Sequence, residues 1–519
     1  MELSDWFLTP AERGNPDTEL DRRHADGLAW TGANLVTPLP HGATYFAELL
    51  RAVRGMRAGD LLMFTDWRGD PDQLLAPGVP VSAVFAEAAR AGVLVKGLVW
   101  RSHLDRLSFS ERENRHLGEQ IEAAGGECLL DMRVRPGGSH HQKFVVLRHP
   151  GRPELDVAFV GGIDLCHSRR DDAEHRGDPQ RQPMAAVYGP RPPWHDLQVA
   201  IRGPAVDDVE TVFRERWQDP APLTRNPLHR LADLVRRDDE SPGRLPERLP
   251  EPAPAGRAAV QLLRTYPYRR SGFAFARQGE RSVAHGYLKA IGNARSLIYL
   301  EDQYLWSERV VDCFAAALRA NPELRLIAVI PLFPDQDGRF SMPPNLVGRV
   351  RALAALRAAG GDRVAVYGIQ NEQQVPIYVH AKVCVIDDLW ACVGSDNVNR
   401  RSWTHDSELA CAVIDDRRDD RAPAVLDRFG GGARVFAREL RLLLATEHLC
   451  RPADEVADLV DPAGMFAAFA AAADRPGARL RRYPPPRLSR RTTLWAEPLY
   501  RLVYDPDGRP ARLRRADRY

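Results

Sequence analysis

The sequence predicts an α/β protein made of two similar halves, and three observations carry this prediction. The tripeptides His141-Gln142-Lys143 and His380-Ala381-Lys382 lie 239 residues apart (380 − 141). Near the same spacing, each half has a pair of glycines suited to end a helix, at 125–126 and 360–361. Short apolar runs typical of buried strands precede these glycines in both halves. The order strand, helix, strand, helix, strand indicates a layered fold with a largely buried sheet.

The predicted elements of the two halves correspond in chain order. An apolar strand comes first, a second apolar strand follows, a helix-like stretch runs to the glycine pair, and a β-type segment then carries the tripeptide. The segment 375–387 alternates with period two, so Tyr378, His380 and Lys382 share one face of a predicted strand. The matched apolar runs are 61–67 with 297–303 and 93–100 with 326–331.

The chain of 519 residues is long enough for two or more domains, each with its own core. Eight prolines between positions 220 and 254 exclude a central strand or one long helix there, although 228–237 is helix-like. We expect the last segment to pack along the second half rather than to bind a partner. The predicted divisions are a first half 1–219, a proline-rich connector 220–256, a second half 257–450 and a tail 451–519.

Composition narrows the class of protein. Hydrophobic residues make up 44% and charged residues 27%, as in soluble globular proteins, and the net charge is +2. So small a charge argues against bulk electrostatic adhesion to nucleic acid or to an anionic membrane. The seven cysteines show no C-x-x-C spacing, which favours reduced, mostly buried thiols. Without a signal pattern or an apolar run near the ~18 residues that span a bilayer, we expect a cytoplasmic monomer.

The two tripeptides share an unusual choice of cation. Only four of the 72 basic residues are lysine, and two of them follow a histidine by two positions. A compact ammonium beside an imidazole suits phosphoryl chemistry, in which one histidine attacks phosphorus, another protonates the leaving oxygen and lysines hold the phosphoryl oxygens. A single such pair is most often a solvated face or a core histidine, but the repetition favours catalysis. The adjacent lysine also disfavours a metal at either histidine, so we predict no metal and no cofactor.

Each tripeptide is followed by a turn of small residues at the end of a return strand. We predict that these turns bind substrate, partly through their backbone amides. The predicted substrate-binding residues are Gly161, Gly162 and Asp164 in the first half and Gly394, Ser395 and Asn397 in the second.

The spacing His380-x-Lys382-x4-Asp387, followed by Gly394-Ser395-x-Asn397, resembles the repeated signature of the phospholipase D superfamily. Segments 301–304, 330–334 and 194–205 are similar to the plant and fungal type, and the resemblance covers about residues 30–450. It implies two α/β domains, each a mixed sheet flanked by helices, packed with a pseudo-twofold around one shared active site without metal. It also implies that His141 is the nucleophile that becomes a phosphohistidine and that His380 is the general acid, an order that the residues alone leave open.

A catalytic imidazole needs an acceptor for its second nitrogen. Asp196 and Glu408 occupy matching places downstream of the two motifs. From this position in the chain, we predict that Asp196 supports His141 and that Glu408 supports His380. The alternative is that both are plain surface carboxylates.

The first motif departs from the second at its acidic turn residue. Arg148 stands where the second motif has Asp387, and the interval from the histidine to the glycine is 20 residues against 14. Six extra residues therefore enlarge the first hairpin. Counting back from the glycines makes Glu154 and then Asp156 the candidates for the acidic residue of the first motif. This residue normally helps to structure the turn, so we expect its displacement to leave catalysis intact. Asp387 of the second motif is counted among the predicted catalytic residues, with His141, Lys143, His380, Lys382, Asp196 and Glu408.

The leading hypothesis is a phospholipase D that cleaves the distal phosphodiester of a glycerophospholipid and can transfer the phosphatidyl group to alcohols. It predicts a phospholipid substrate, transient contact with a membrane surface through loops such as 184–194 or 340–344, and no stable nucleic-acid partner. The alternatives are a nuclease or other phosphodiesterase, a transferase similar to cardiolipin synthase, and an inactive scaffold. The arginine-rich end of the chain favours a nuclease, but its acidic neighbours and the small net charge weaken that alternative.

Overall fold

The computed structural model describes residues 2–102, 110–236, 241–270, 272–338, 341–422, 432–484 and 486–519. The elements of the first half and connector are α1 (Pro10–Arg13), α2 (Glu19–Arg22), β1 (Thr31–Pro40), α3 (His41–Arg54), β2 (Leu61–Asp66), β3 (Leu74–Ala76), β4 (Val79–Pro80), α4 (Val81–Arg90), β5 (Leu94–Trp100), α5 (Glu111–Glu122), β6 (Glu127–Asp131), β7 (Phe144–Arg148), β8 (Val157–Gly161), β9 (Trp194–His195), β10 (Leu197–Arg202), α6 (Ala205–Trp217) and α7 (Pro227–Arg236).

The second half and the tail continue the same alternation. Their elements are β11 (Ala258–Tyr266), β12 (Glu280–Arg281), α8 (Ser282–Asn293), β13 (Leu297–Glu301), α9 (Glu308–Ala320), β14 (Arg325–Val329), α10 (Met342–Gly360), β15 (Val364–Ile369), β16 (Tyr378–Val379), β17 (Val383–Ile386), β18 (Trp390–Gly394), α11 (Arg400–Thr404), β19 (Glu408–Asp415), α12 (Val435–Leu449), α13 (Ala457–Val460), α14 (Pro462–Ala473), β20 (Leu480–Arg482), α15 (Arg490–Leu499) and α16 (Ala511–Ala516).

One continuous sheet runs through both halves and is symmetric about its centre. From the centre outwards, the first half has the order β1-β10-β8-β7-β2-β5-β6 and the second half the order β11-β19-β18-β17-β13-β14-β15-β20. The halves join where β1 pairs antiparallel with β11. In each half three strands pair in parallel, β2-β5-β6 and β13-β14-β15, and the remaining pairs, including β15 with the edge strand β20, are antiparallel, so each half-sheet is mixed. The predicted fold class, two similar α/β units with mixed sheets, is confirmed, and the mirrored order is what a local twofold at the β1–β11 junction produces.

Helices cover both faces of this sheet. On one face a single hydrophobic core extends across both halves and includes Trp217 on α6, Tyr299 on β13 and Leu440 on α12. On the other face the second half and the first half have separate cores, around Phe314 and Phe85 respectively. The common core and the shared sheet fix the two halves relative to each other. The predicted domain boundaries stay a prediction.

The segment predicted as one strand over 375–387 is interrupted, and this part of the prediction is wrong. Strand β16 ends at Val379 and β17 begins at Val383, so the H-x-K residues lie between two strands. Strand β16 leaves the main sheet to pair with β9 of the first half, with Tyr378 opposite Trp194. The backbone N–H of His380 donates to His195 O at 2.7 Å. The break therefore brings the second motif against the first half.

The tail packs on the second half, as expected. Strand β20 extends the sheet beside β15, and α15 lies against α10. Arg135 of the first half also contacts the tail. It donates to Tyr268 O at 3.0 Å and to Gly508 O at 3.1 Å. All seven cysteines are free thiols, five of them buried. Among the described residues, no helix combines the length and the apolar character needed to cross a bilayer.

Candidate active site

The two H-x-K motifs meet at one cavity of about 1100 Å³. His141 and His380 both line it, together with Asp164 and Asn397 from the two predicted turns. The first motif is held at the cavity by a backbone hydrogen bond to the second half, in which the N–H of His141 donates to Ser407 O at 2.9 Å. The second motif is held at the cavity by the first half, because the backbone N–H of His380 donates to His195 O. Each motif is thus held in place by the opposite half.

The carboxylate partners of the two imidazoles are exchanged relative to the prediction from chain position. His141 Nδ1 lies 2.9 Å from Glu408 Oε2, and His380 Nδ1 lies 2.6 Å from Asp196 Oδ2. The predicted pairing within each half is therefore wrong, although both carboxylates do support an imidazole. The reason is topological. Glu408 begins β19 and Asp196 immediately precedes β10, and each carboxylate lies beside the motif of the opposite half because the two half-sheets join edge to edge where β1 pairs with β11. With Nδ1–H donating to a carboxylate, each imidazole keeps Nε2 available for chemistry.

The His380 side chain lies in a buried, cationic environment. Burial lowers the pKa of His380 to about 3, with Lys382 and Arg169 adding to the effect and Asp196 opposing it. Despite its own burial, the pKa of Asp196 falls to about 2, because His380 and Lys382 stabilise its ionised form. Trp194 packs against the ring of His380 at 5.0 Å between centroids. In the ligand-free protein His380 is therefore a neutral imidazole beside an ionised carboxylate.

Each lysine is buried behind the cavity lining, where it contacts one lining residue and is tied to its own motif. Lys143 Nζ donates to His141 O at 2.9 Å and lies 3.5 Å from Asp164 Oδ1. Lys382 Nζ donates to His380 O and lies 3.3 Å from Gln303 Oε1. Burial lowers the pKa of Lys382 to about 8. Both ammonium groups are buried cations, which an anionic substrate would neutralise.

Two family models of known proteins match this chain. A family model described as phospholipase D matches residues 122–310, and one described as cardiolipin synthase, PLD-like domain, matches residues 287–427. Phospholipase D alpha 1 of Cynara cardunculus is 27% identical over 55% of this chain and 47% of its own length. Phospholipase D zeta 2 of Arabidopsis thaliana is 25% identical over 81% and 54%, and phospholipase D1 of Mus musculus is 28% identical over 59% and 32%, respectively. The chain belongs to the phospholipase D superfamily.

The chain spans about half the length of the first plant relatives that it matches. Among solved structures, phosphatidylserine synthase of Haemophilus influenzae aligns over 73% of this chain and 82% of that chain, with 13% identity and a TM-score of 0.49.

In this superfamily member the predicted small-residue turns make room for the carboxylates. A Cβ on Gly162 would overlap Asp196 Oδ1, and a Cβ on Gly161 would overlap Leu197 O. Ser395 donates its hydroxyl to Glu408 Oε2 at 2.5 Å, and a Cβ on Gly394 would press on Ala410. The backbone N–H groups of Gly162, Gly394 and Ser395 donate to carbonyls of the sheet. These amides are therefore already used, whereas Asp164 and Asn397 face the cavity and stay predicted substrate contacts.

The acidic turn residue of the second motif lies away from the cavity. Asp387 has a positive φ of 53° and accepts hydrogen bonds from the backbone N–H groups of Arg295, Ser296 and Leu297 at 2.7–2.9 Å. Burial raises the pKa of Asp387 to about 6, although these three donors favour the ionised form. Asp387 thus fixes the start of β13 to the β17–β18 turn, a structural rather than a catalytic contact.

The first hairpin reaches a similar closure by a different route. Asp156 is buried and accepts from the backbone N–H of His149 at 2.7 Å and from Arg148 Nε at 2.9 Å. Glu154 is exposed. Of the two acidic candidates, Asp156 therefore closes the turn and Glu154 does not.

Several residues around the cavity were not singled out from the sequence. Arg169 stacks on Trp194 at 3.9 Å and donates to Asp164 at 3.3 Å, which brings a third cation beside His380. Asp66 lies beside Asp164, and burial together with this neighbour raises the pKa of Asp66 well above its ordinary value. Arg401 joins the two halves by donating to Gly137 O at 2.6 Å. The only signal in the sequence was that Asp66 and Asp302 occupy matching positions in the apolar runs 61–67 and 297–303.

The cavity wall is rich in aromatic side chains. Tyr304 stacks on Trp306 at 3.8 Å between centroids, and Trp67 stacks on Trp100 at 5.6 Å. Other aromatic residues that line the cavity are Trp194, Tyr378 and Tyr504. Such walls accommodate apolar or planar groups next to the polar floor formed by the two motifs.

Behind His195 lies a buried network of four histidines and two glutamates. His41 and His175 hydrogen-bond the two oxygens of Glu447 at 2.8 and 3.0 Å, and His195 lies between Glu447 and Glu301. His448 completes the network on Glu301 at 2.7 Å.

Two groups in this network, His41–His175–His195–Glu447 and His195–Glu301–His448, hold donor atoms within 4.8 Å of one another, close enough for a shared cation. Protonated histidines already balance the carboxylates: against its burial, Glu301 raises the pKa of His195 to about 10, and Asp171 with Glu447 raises that of His175. The carboxylates of the network thus have protonated histidines as partners, and the expectation of a metal-free reaction stays a prediction.

Proposed function

We propose that this protein is a phospholipase D-type phosphodiesterase that cleaves the distal phosphodiester of a glycerophospholipid through a covalent phosphohistidine. The observation that carries the proposal is the convergence of two carboxylate-bound imidazoles on one cavity, with Lys143 and Lys382 buried against its lining residues Asp164 and Gln303. Each imidazole presents Nε2 for reaction, and the buried cations offer charge stabilisation where phosphoryl oxygens gain charge.

We infer the following two steps from this arrangement. His141 Nε2 attacks phosphorus, the bond from phosphorus to the headgroup oxygen breaks, and His380 gives its proton to the departing alcohol. Water then attacks the phosphohistidine, His380 takes a proton from that water, and phosphatidic acid leaves while His141 is regenerated. Glu408 stabilises the positive charge that His141 carries as the phosphohistidine forms.

The low pKa of His380 gives substrate binding a second role. A neutral His380 cannot act as an acid, and its pKa is low because of burial and the nearby Lys382 and Arg169. An anionic phosphodiester between these groups offsets their charge and favours protonation of His380. We infer that the acid form is created in the enzyme–substrate complex rather than in the free enzyme.

Transfer of the phosphatidyl group to an alcohol is the second candidate. The match of residues 287–427 to a family model described as cardiolipin synthase, PLD-like domain, favours it. The chemistry differs only in the nucleophile of the second step, since an alcohol replaces water.

The test incubates the purified protein with phosphatidylcholine vesicles and ethanol, and separately with single-stranded DNA. Release of choline with phosphatidic acid supports hydrolysis, and phosphatidylethanol supports transfer. DNA cleavage without lipid turnover would refute the lipid substrate. His141→Asn and His380→Asn should each lower turnover at least about 10³-fold, whereas His116→Asn, on α5 and outside the cavity lining, should not. Acid quench during turnover should trap phosphorus on residue 141 and not on 380.

A further inference from the structure

Helix α7 presents its apolar side chains to solvent. Leu228, Leu231, Leu234 and Val235 are 58–75% exposed, although large aliphatic residues on a surface helix normally face the core. At 100° per residue, Leu228, Leu231 and Val235 fall on one stripe. The apolar side of this helix is therefore turned away from the protein.

The polar side of α7 is what holds it to the protein. Asp233 is buried and binds Arg101 with a 2.6 Å hydrogen bond. Just before the helix, Leu223 O accepts a hydrogen bond from the backbone N–H of Met132 at 2.8 Å. This buried ion pair fixes which side of α7 faces the protein. If the helix turned its leucines to the core, the ion pair between Asp233 and the buried charge of Arg101 would be broken.

A second exposed apolar patch lies on the tail. Leu494 and Leu502 are 80% and 76% exposed, and Leu499 and Val503 are about half exposed. This segment is held rigidly from behind, since Tyr500 donates its hydroxyl to Trp306 O at 2.9 Å and Arg401 donates to Val503 O at 2.6 Å. The exposed apolar patch therefore lies on a segment that is hydrogen-bonded to the rest of the protein.

Both patches border the same opening. Asn226 and His229 at the start of α7 line the active-site cavity, and so do Val503 and Tyr504 on the tail. Apolar side chains therefore stand at the rim of the cavity that holds His141 and His380. We call these two patches the apolar rim; its members are Leu228, Leu231, Leu234, Val235, Leu494, Leu499, Leu502 and Val503.

Basic side chains accompany the apolar rim. Arg225, Arg230 and Arg236 are exposed on or beside α7, and Arg490 and Arg491 are exposed at the start of α15. Aliphatic side chains that reach into acyl chains, flanked by arginines at headgroup level, are the composition of an interfacial membrane-binding surface.

We propose that the apolar rim seats the mouth of the active site on a phospholipid bilayer, so that a lipid headgroup enters the cavity while its acyl chains stay in the membrane. This inference rests on the proposed lipid substrate. It replaces the loop 184–194 suggested from the sequence, since Met184, Tyr188 and Trp194 pack with Tyr378 in a buried cluster. Phe340, in the other suggested loop, lies outside the described residues.

The test compares a rim variant, Leu231→Gln with Val235→Gln and Leu502→Gln, with a control, Leu288→Gln with Leu443→Gln. The control residues are 37% and 38% exposed on α8 and α12 and do not line the cavity. Each set is made in the His141→Asn background for co-sedimentation with phosphatidylcholine–phosphatidylglycerol vesicles. Each set is also made in the protein with His141 intact, and its rate of hydrolysis is measured on long-chain phosphatidylcholine vesicles and on monomeric dihexanoyl-phosphatidylcholine.

We expect the rim variant to bind vesicles at least tenfold more weakly and to lose long-chain turnover in proportion, with unchanged turnover of the monomeric lipid and unchanged Tm. Vesicle binding equal to that of the control would overturn the proposal. So would a dimer that dissociates only in the rim variant, because the surface would then join two copies. Failure of the proposed function is separate: the wild-type protein would hydrolyse neither lipid, whatever the binding assay shows.

Discussion

His141 and His380 each depend on a carboxylate that the other half of the chain supplies. Glu408 holds Nδ1 of His141, and Asp196 holds Nδ1 of His380. A carboxylate in this position selects the tautomer and stabilises the imidazolium form, so its loss affects catalysis more than folding. At the residue scale the site is therefore two crossed pairs rather than two independent motifs.

The crossed pairing predicts what carboxylate substitutions do. Asp196→Asn and Glu408→Gln should each lower kcat by about 10²–10⁴-fold, because the amide no longer fixes the imidazole tautomer. Glu154→Gln, an exposed carboxylate of the first half, is the matched control and should leave kcat unchanged. In protein with ¹⁵N-labelled histidine, Glu408→Gln should shift the Nδ1–H resonance of His141 and not that of His380. A shift at His380 alone would contradict the crossed pairing.

Adding a single methyl group at Gly162 should lower activity. In Gly162→Ala the added Cβ would overlap Asp196 Oδ1 and push this carboxylate away from His380. We expect kcat to fall at least about tenfold, as measured by choline release. Gly292→Ala on α8, where a Cβ meets no atom within 4 Å, should keep full activity. Equal activities of the two variants would show that Asp196 adapts without losing His380.

At the scale of elements, the β17–β18 turn is tied to the start of β13 by one side chain. Asp387 accepts three backbone N–H groups there, and the neighbouring Asp388 binds Arg438 and Arg441 on α12. The first hairpin uses Asp156 and Arg148 instead, although it is six residues longer. Two different sets of contacts thus produce the same strand order.

Asp387→Ala should destabilise the protein without impairing the chemistry. Removing the acceptor of three buried N–H groups should lower the free energy of unfolding by about 1–3 kcal/mol, measured by urea unfolding. The kcat of the protein that remains folded should stay within about twofold of wild type, because Asp387 does not line the cavity. Asp387→Asn keeps one acceptor and should recover part of the stability. A tenfold loss of kcat at unchanged stability would assign Asp387 to catalysis.

At the scale of the whole molecule, one sheet and one buried polar network unite the two halves. The network joins α3, β9, β13 and α12, and the backbone of His195 within it accepts the N–H of His380. Ionised Glu301 raises the pKa of His195 from its ordinary value near 6.5 to about 10. A raised pKa of this kind stabilises the fold fully below pH 6.5, and the stabilisation is lost as the pH rises through 10.

The network therefore predicts how stability depends on pH. At pH 7, Glu301→Gln should unfold at lower urea concentration than wild type, because the charge that holds the proton on His195 is gone. This difference should shrink by up to about 1.4 kcal/mol per pH unit between pH 7 and pH 10, as wild-type His195 loses its advantage. Glu119→Gln, exposed on α5, should show no such trend. A difference that stays constant or grows towards pH 10 would refute the assignment.

The apolar strands of both halves and the two H-x-K pairs could be predicted from the sequence. Runs 61–67, 93–100, 297–303 and 326–331 became strands because apolar segments of this length depend mainly on local composition. The alternating segment 375–387 was predicted less well. Its period matches a strand, but at His380 the backbone N–H donates to His195 of the other half instead of a neighbouring strand. A contact between distant segments overrode a correct local pattern.

The sequence by itself determined the family, the repeat and the positions of the two H-x-K pairs, because spacing along the chain records each of them. Only the tertiary structure decided which carboxylate serves which imidazole, since that depends on how the halves pack across the β1–β11 junction. The tertiary structure also showed that the leucines of α7 face solvent at the mouth of the cavity. Apolar periodicity indicates a helix with one apolar side, but whether that side meets the core or the surroundings is decided by the buried partner of Asp233.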